Sequence, residues 1–280
     1  PWVGYIYDFQ HKYFPSYFNP KECLTRDIHF ATMLRDAQAV IVNAKAVKSD
    51  INRFFPYSEC EVFNLPFSAF PVTSWLEDDD PAQLQGYNLP ERYFLISNQF
   101  WIHKSHSTAF QALSILLNDP DYADLHIVCT GKMEDYRHPD HIINLQQEIE
   151  ELSISDKVHF LGHIPKKDQN AIMKQSLAVL QPTLFEGGPG GGVVYDAISL
   201  GIPAILTDIP VNLEIKEEEN LFFFEAGSAL DLANKIKDFL NFNVSLPTKD
   251  ELFARGEQRK RLLGEHLLKT VRYVTRKTDC

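Results

Sequence analysis

Cysteine is scarce. Four occur in 280 residues, Cys23, Cys60, Cys129 and Cys280, and no two are spaced as Cys-x-x-Cys. That excludes a disulfide-stapled mini-protein and leaves neither a zinc knuckle nor a redox dithiol in view. Cys129, inside the apolar run LHIVCT, reads as a core thiol. Positive charge is also short: 27 Lys and Arg stand against 38 Asp and Glu, a net of -11. A field of that sign repels polyanions, so nucleic acid is not an expected partner, whereas a small phosphate ligand needs only a few cations and backbone amides. No apolar run approaches the roughly 18 residues of a membrane-spanning helix. No basic-then-apolar leader opens the chain, which begins at Pro1. With reduced thiols, the cytoplasm is the expected compartment. What is present is ordinary globular composition, 44% apolar and 23% charged, enough for one large domain or two of common size.

From Tyr93 onward, short apolar runs alternate with stretches of helical period. YFLIS (93–97) precedes STAFQALSILL (107–117), LHIVCT (125–130) precedes INLQQEIEEL (143–152), and VHFLG (158–162) precedes KDQNAIMKQS (167–176). LAVLQPT (177–183) then runs through a glycine-rich loop into VVYDAISLG (193–201). PAILTD (203–208), LFFFE (221–225) and SALDLANKIKDFL (228–240) complete the set. Buried strands alternating with amphipathic helices predict a parallel sheet covered on both faces. The first 66 residues repeat the pattern with three strand-like runs, WVGYIYD, QAVIVNA and CEVFNLP, and two helices, HFATMLRDA and AVKSDINRFF. Three strands are fewer than a doubly wound sheet needs, so earlier ones are expected upstream of Pro1. The expected division is a partial front domain at 1–80, a second α/β domain at 81–247, and a basic helix at 248–280. Residues 67–92 are the natural linker, holding three prolines and the acidic run Glu77-Asp78-Asp79-Asp80, read as solvated. The last helix carries eight Lys and Arg against three acids over 251–277. It is expected to pack back on the front domain. A peripheral contact with anionic lipid is the competing role for it.

In open α/β sheets ligands bind beyond the carboxyl ends of the strands. The most informative stretch there is Leu184-Phe185-Glu186-Gly187-Gly188-Pro189-Gly190-Gly191-Gly192, which holds five of the thirteen glycines. Glycine lets a ligand approach the backbone, and a helix starting near Gly192 aims free N–H groups and its dipole into that space, which suits a diphosphate. Carboxylates beside a phosphate are costly, so Glu186 and Asp196 are expected to bind sugar and ribose hydroxyls instead. Lys104 follows YFLIS and is placed to reach phosphate. Gly131 and Lys132 put a second cation at the end of LHIVCT, with a solvated loop as the plain reading. Gly162, His163 and Ile164 end VHFLG, where backbone groups could meet a base edge. His163 has no partner at metal-ligand spacing. In the front part, His11 follows the first strand and is a candidate cleft-facing group, an unremarkable loop histidine being the alternative.

These pieces resemble the family-4 retaining glycosyltransferases, most specifically in FEGGPGGGVVYDAISLGIPAILTD (185–208) and in the order VHFLGHIP, PTLFEGG, GIPAILTD. SNQFWIHKS matches the place where that family keeps phosphate-binding basic residues, and YDFQHKYFP resembles an acceptor-domain loop. The resemblance implies a GT-B-like fold: two Rossmann-like doubly wound domains, the N-terminal one incomplete. It also implies transfer from a nucleotide diphosphate sugar, UDP favoured, to a glycan or lipid-linked acceptor, with no metal or other cofactor. On it, Lys104, Gln99, Gly131, Lys132 and the 190–193 backbone (Gly190, Gly191, Gly192, Val193) hold the diphosphate. Glu186, Gly187 and Gly188 hold the sugar, Asp196 the ribose, and Gly162, His163 and Ile164 the base, while His11 reaches the sugar from the opposite domain. Two departures stand out. Nine residues rather than seven separate Glu186 from the second acid, which is Asp, and the family's arginine is replaced by Gln99 or Asn98. A non-catalytic nucleotide-sugar-binding subunit and a nucleotide-sugar epimerase of the same shape are the alternatives. An oxidoreductase would need a Gly-x-Gly-x-x-Gly turn after YFLIS, which is missing.

Overall fold

The computed structural model describes residues 2–77 and 81–276. Asp78, Asp79, Asp80 and Cys280 lie outside the described residues, and so does Lys277 of the basic helix.

The front unit runs β1 (Val3–Tyr5), α1 (Gln10–Tyr13), α2 (Pro20–Asp36), β2 (Ala39–Val42), α3 (Lys45–Phe54) and β3 (Glu61–Asn64). Its strands form a three-stranded parallel sheet in the order β1-β2-β3, with Val40 opposite Gly4 and Val62. Helix α2 begins nine residues before the expected HFATMLRDA. Asn19 accepts the Glu22 N–H while the Glu22 carboxylate returns to the Asn19 N–H, with Pro20 at the first helical position. This reciprocal cap satisfies two otherwise orphaned donors.

The second unit runs β4 (Tyr93–Ser97), α4 (His106–Leu117), β5 (His126–Thr130), α5 (His141–Glu151), β6 (Val158–Gly162), α6 (Lys166–Gln175), β7 (Val179–Gln181), α7 (Gly191–Leu200), β8 (Ala204–Thr207), β9 (Leu221–Phe224) and α8 (Ala229–Asn241). Its six strands are all parallel in the order β6-β5-β4-β7-β8-β9. The alternation of side chains along each strand splits the apolar set between two faces. Phe94, Ile96, Ile127 and Ile205 go to one core with α4, α5 and α8. Leu95, Val128, Val179 and Leu206 go to the other with α6 and α7. Burial of each such side chain is worth roughly 1.5–3 kcal/mol, which is what holds helices on both sides of the sheet. The strand order reverses between β4 and β7, and a crevice must open there at the strands' carboxyl ends.

The linker is docked rather than loose. Ala69, Leu76 and Leu84 are buried in the second core, and Asp168 on α6 accepts hydrogen bonds from Gln83 (2.7 Å) and Tyr87 (2.6 Å). The last helix, α9 (Lys249–Arg276), starts against the second unit through buried Leu252 and ends at the front sheet. There His266 meets the Asn64 carbonyl and Tyr273 packs edge-on to Phe63. No helix among the described residues is long and apolar enough to cross a membrane.

Candidate active site

A cleft of about 500 Å³ lies where β4 and β7 diverge, walled by Asn98, Gln99, Trp101, His103 and Lys104 after β4 and by Phe185, Glu186, Gly187, Gly192 and Val193 after β7. It is continuous through Ser97, Asn98 and Gln99 with a second lobe of about 420 Å³ lined by Thr130, Gly131, Lys132, His163, Ile164 and Gln169. The ends of four different strands thus meet in one two-lobed space.

The glycine loop is held by a buried network. Gly190 and Gly191 both lie in the left-handed region, φ 70° and 64°, which side-chain-bearing residues rarely adopt. Helix α7 starts at Gly191, one residue earlier than expected. The first turn of a helix leaves its N–H groups without intrahelical partners. Two find acceptors in the protein: Gly190 donates to Asn212 Oδ1 (2.8 Å) and Gly191 to the Gly188 carbonyl (3.2 Å). Those of Gly192 and Val193 have no protein acceptor among the described residues, and both residues line the cleft. Free amides at a helix start favour negative charge by ordinary electrostatics, and the Lys104 ammonium and the Glu186 carboxylate line the same cleft.

Lys104 Nζ lies 2.5 Å from Glu186 Oε1, both side chains largely buried. Gln181, fully buried, donates to the same carboxylate oxygen at 3.0 Å and to the Gly190 carbonyl at 2.9 Å, and its own carbonyl accepts from Asn98 at 2.6 Å. Asn98 thus spends an amide hydrogen on Gln181, while it and Gln99 both line the cleft. Gln181, absent from the expected site, ties carboxylate and glycine loop together. Its only local signal was a polar residue inside a buried strand.

His11 departs from its expected role. A helical turn at Gln10–Tyr13 folds its ring inward, where it is 2% exposed. Arg26 Nε donates to Nδ1 (3.0 Å), and Nε2 bonds Asp27 (2.9 Å), so both ring nitrogens are used within the front unit. Burial pushes its pKa down, partly offset by Asp27. Asp8 and Gln10 line the cleft instead. Asp196 is paired with Lys166 at the start of α6, a cation the sequence did not single out, and does not line either lobe. Burial pushes its carboxyl up against the pull of that lysine. Lys132 lines the second lobe, but its exposed ammonium is paired with Glu134. His163 and Ile164 line that lobe too. Gly162 does not, though its carbonyl accepts the Gly131 N–H (2.8 Å) and sets the turn. Gly187 and Gly188 face the front unit: a Cβ on Gly187 would stand 2.3 Å from the Tyr7 carbonyl oxygen, and one on Gly188 3.5 Å from Asn43 Cβ. His103, also in the wall, is pushed down to about 3 by burial and then by the charges of Lys104 and Arg137, so it is a neutral imidazole at ordinary pH. Among the described residues no three His, Cys, Asp or Glu side chains gather as metal ligands would.

A family model described as glycosyl transferases group 1 matches residues 80–258. Over 125 residues the chain is 29% identical to the O-antigen chain mannosyltransferase RfbU of Salmonella typhimurium, a stretch covering 45% of this chain and 32% of that protein. Over 133 residues it is 26% identical to glycosyltransferase 1 domain-containing protein 1 of Xenopus tropicalis, covering 47% and 34%. The matched stretch is about a third of each relative's length. Among solved structures, Anabaena HepE in complex with UDP and glucose superimposes with a TM-score of 0.72 over 97% of this chain and 71% of its own, at 19% identity. The sucrose-phosphate synthase of Thermosynechococcus elongatus does so at 0.69 over 100% and 68%, at 17% identity. At such identities the likeness speaks for the fold.

Proposed function

The chain belongs to the group 1 glycosyltransferases and has their α/β fold of parallel sheets, and from that premise we propose that it is a retaining, family-4 glycosyltransferase. It moves a sugar from a nucleotide diphosphate sugar, UDP-glucose for preference, to a glycan or lipid-linked acceptor in polysaccharide synthesis. The observation that carries the reading is the pair of unclaimed amides at Gly192 and Val193 beside the Lys104 ammonium, in a cleft at the point where the strand order reverses. HepE, solved with UDP and glucose, supports the uridine donor, and RfbU, an O-antigen mannosyltransferase, supports a polysaccharide product.

In this reading the diphosphate lies on α7's first turn. Lys104 leaves Glu186 for the departing phosphate, and Glu186, released, takes sugar hydroxyls. The acceptor oxygen bonds the anomeric carbon on the face the leaving group vacates. The carbon–oxygen bond to the β-phosphate breaks with its electron pair going to phosphate, which takes the acceptor's hydroxyl proton, so configuration is retained. Preorganised donors of this kind are worth several kcal/mol of barrier. The second lobe, with Lys132, His163 and Ile164, takes the nucleoside, and Asp196 meets the ribose once Lys166 lets it go. Asp8 and Gln10 replace His11 as the groups contributed from the front. The domain division at 80 and 247 belongs to the same proposal. So does metal independence, which chelator would leave intact. A membrane surface would meet α9 through exposed Leu267, Leu268 and Val271 beside Lys269 and Arg272; salt-sensitive sedimentation with anionic liposomes tests it.

A thermal-shift panel of nucleoside diphosphates tests the core claim, since a ligand selective for the folded state raises the melting point. UDP is expected to give the largest shift, and Lys104→Ala to abolish most of it along with donor hydrolysis. Turnover unchanged by Lys104→Ala removes the phosphate assignment. UDP binding with no turnover favours the non-catalytic subunit instead.

A further inference from the structure

The turn between β8 and β9 belongs to both units. Ile209 and Val211 pack into the front core, while Ile215, four residues on from Val211, is buried in the core of the second sheet. Between them Asn212 is fully buried. Its carbonyl oxygen accepts the Gly190 N–H at 2.8 Å, and its amide donates to the Thr207 carbonyl at 2.9 Å. Two residues further, the Glu214 carboxylate accepts from the backbone N–H groups of Lys45 (2.9 Å) and Ala46 (2.7 Å). These are the first two amides of α3, whose own N-cap is Ala44 and supplies no side-chain hydrogen bond. A front helix therefore takes its cap from the other unit, where a carboxylate is also favoured by the helix dipole. One short turn holds α3 with one side chain and the head of α7 with another, 169 and 22 residues away in sequence.

We propose that Glu214 is a positioning residue: by docking the front unit on this turn it fixes Asn212, and through Asn212 the conformation of the anion-binding loop. Approach of the two units and readiness of the loop then become one event. The readout through nucleotide rests on the function proposed above, but the readout through hydrogen exchange does not.

Hydrogen exchange of the ligand-free chain is the first arm. Glu214→Ala is expected to speed exchange at Lys45 and Ala46 and also at Gly190 and Gly191. Acceleration confined to Lys45 and Ala46 would mean a local cap only and overturns the proposal. Should Glu214→Ala fail to fold, Glu214→Gln, which keeps one acceptor oxygen, carries the same test with smaller amplitudes at both places. The second arm is calorimetric titration with UDP. A less populated competent loop lowers apparent affinity in proportion, so Glu214→Ala should weaken UDP by about tenfold and Glu214→Asp should recover part of that. Wild-type chain that does not bind UDP sinks the proposed function while leaving the exchange arm to decide the coupling. Wild type and Glu214→Ala binding UDP equally sinks the coupling alone.

Discussion

The ammonium of Lys104 and the carboxylate of Glu186 neutralise each other at 2.5 Å in a largely buried spot, so in the proposed reading a phosphate competes with the glutamate for the lysine's charge. Removing the carboxylate's charge should then help the nucleotide and harm the chemistry. Glu186→Gln is expected to bind nucleoside diphosphate more tightly by about threefold to tenfold, since an opposite charge no longer competes, and to lose transfer by about 100-fold through misplaced sugar. Titration calorimetry and initial rates check the two signs, and weaker nucleotide binding would show that the pair does not compete with phosphate. His106 is a second case decided at the scale of one side chain. It is 0% exposed, stacks on Phe100 at 4.2 Å, and neither ring nitrogen has a hydrogen-bond partner. Burial, then the charges of His141 and Lys104, pushes its pKa down to about 3. The folded state keeps this ring neutral, while the unfolded chain takes up a proton near pH 6.5. Stability is therefore complete above pH 6.5 and falls as the pH drops toward 3, by at most about 1.4 kcal/mol per pH unit from this residue. His106→Phe keeps the ring shape and removes the titration. It should raise the melting temperature more at pH 5 than at pH 8, and an equal effect at both would contradict a buried neutral imidazole.

The glycine loop and α7 act as a unit, and their glycines are not equivalent. A Cβ on Gly190, at φ 70°, would stand 2.4 Å from Val194 Cβ, whereas one on Gly192 meets nothing within 4 Å. Gly190→Ala is accordingly expected to cost about 1–3 kcal/mol of stability from the left-handed backbone alone and to disorder the loop. Gly192→Ala should stay within about 0.5 kcal/mol of wild type in urea denaturation, yet lose nucleotide affinity because its methyl enters the anion's space. Equal affinity in Gly192→Ala would place the diphosphate elsewhere. The same element shows how an expected spacing becomes geometry. The nine residues between Glu186 and Asp196 leave room for Gly190 and Gly191 to turn back. They bring Glu186 against Gln181, while Asp196 lies on α7 against Lys166.

Across the whole molecule, the cleft is closed by contacts on two sides. Arg137 after β5 stacks on Phe18 (4.3 Å) of the front unit and on Trp101 (5.2 Å) of the cleft wall, with Tyr13 and Phe14 against Phe185 below. On the other side Gly187 lies flat on the Tyr7 carbonyl, with no room for a methyl. Gly187→Ala should act as a wedge. The radius of gyration from small-angle scattering should increase, the denaturation midpoint should change little, and UDP should no longer bring the chain to the wild-type value. An unchanged radius would mean the units do not close on this glycine. Two of the cations of α9 are held within the molecule, Arg255 pairing with Glu219 and Arg259 with Glu218.

The amino-acid sequence alone determined the second sheet almost residue by residue, because a strand buried on both faces must be an apolar run and a covering helix must repeat every 3.6 residues. YFLIS and VHFLG are β4 and β6 without adjustment. It also marked the glycine loop, since scarce glycine concentrated in one place has a conformational cause. The Asn19-Pro20-Lys21-Glu22 start of α2 carries a cap signal of its own, nine residues ahead of the apolar period HFATMLRDA. What only the tertiary structure decided has no local signature: the inward turn of His11 onto Asp27 and Arg26, the lysine facing Asp196, the docking of the linker, and a helix cap borrowed across 169 residues. Periodicity records how a segment meets its own core, whereas these partners are chosen by where separate segments come to lie once the chain has closed on itself.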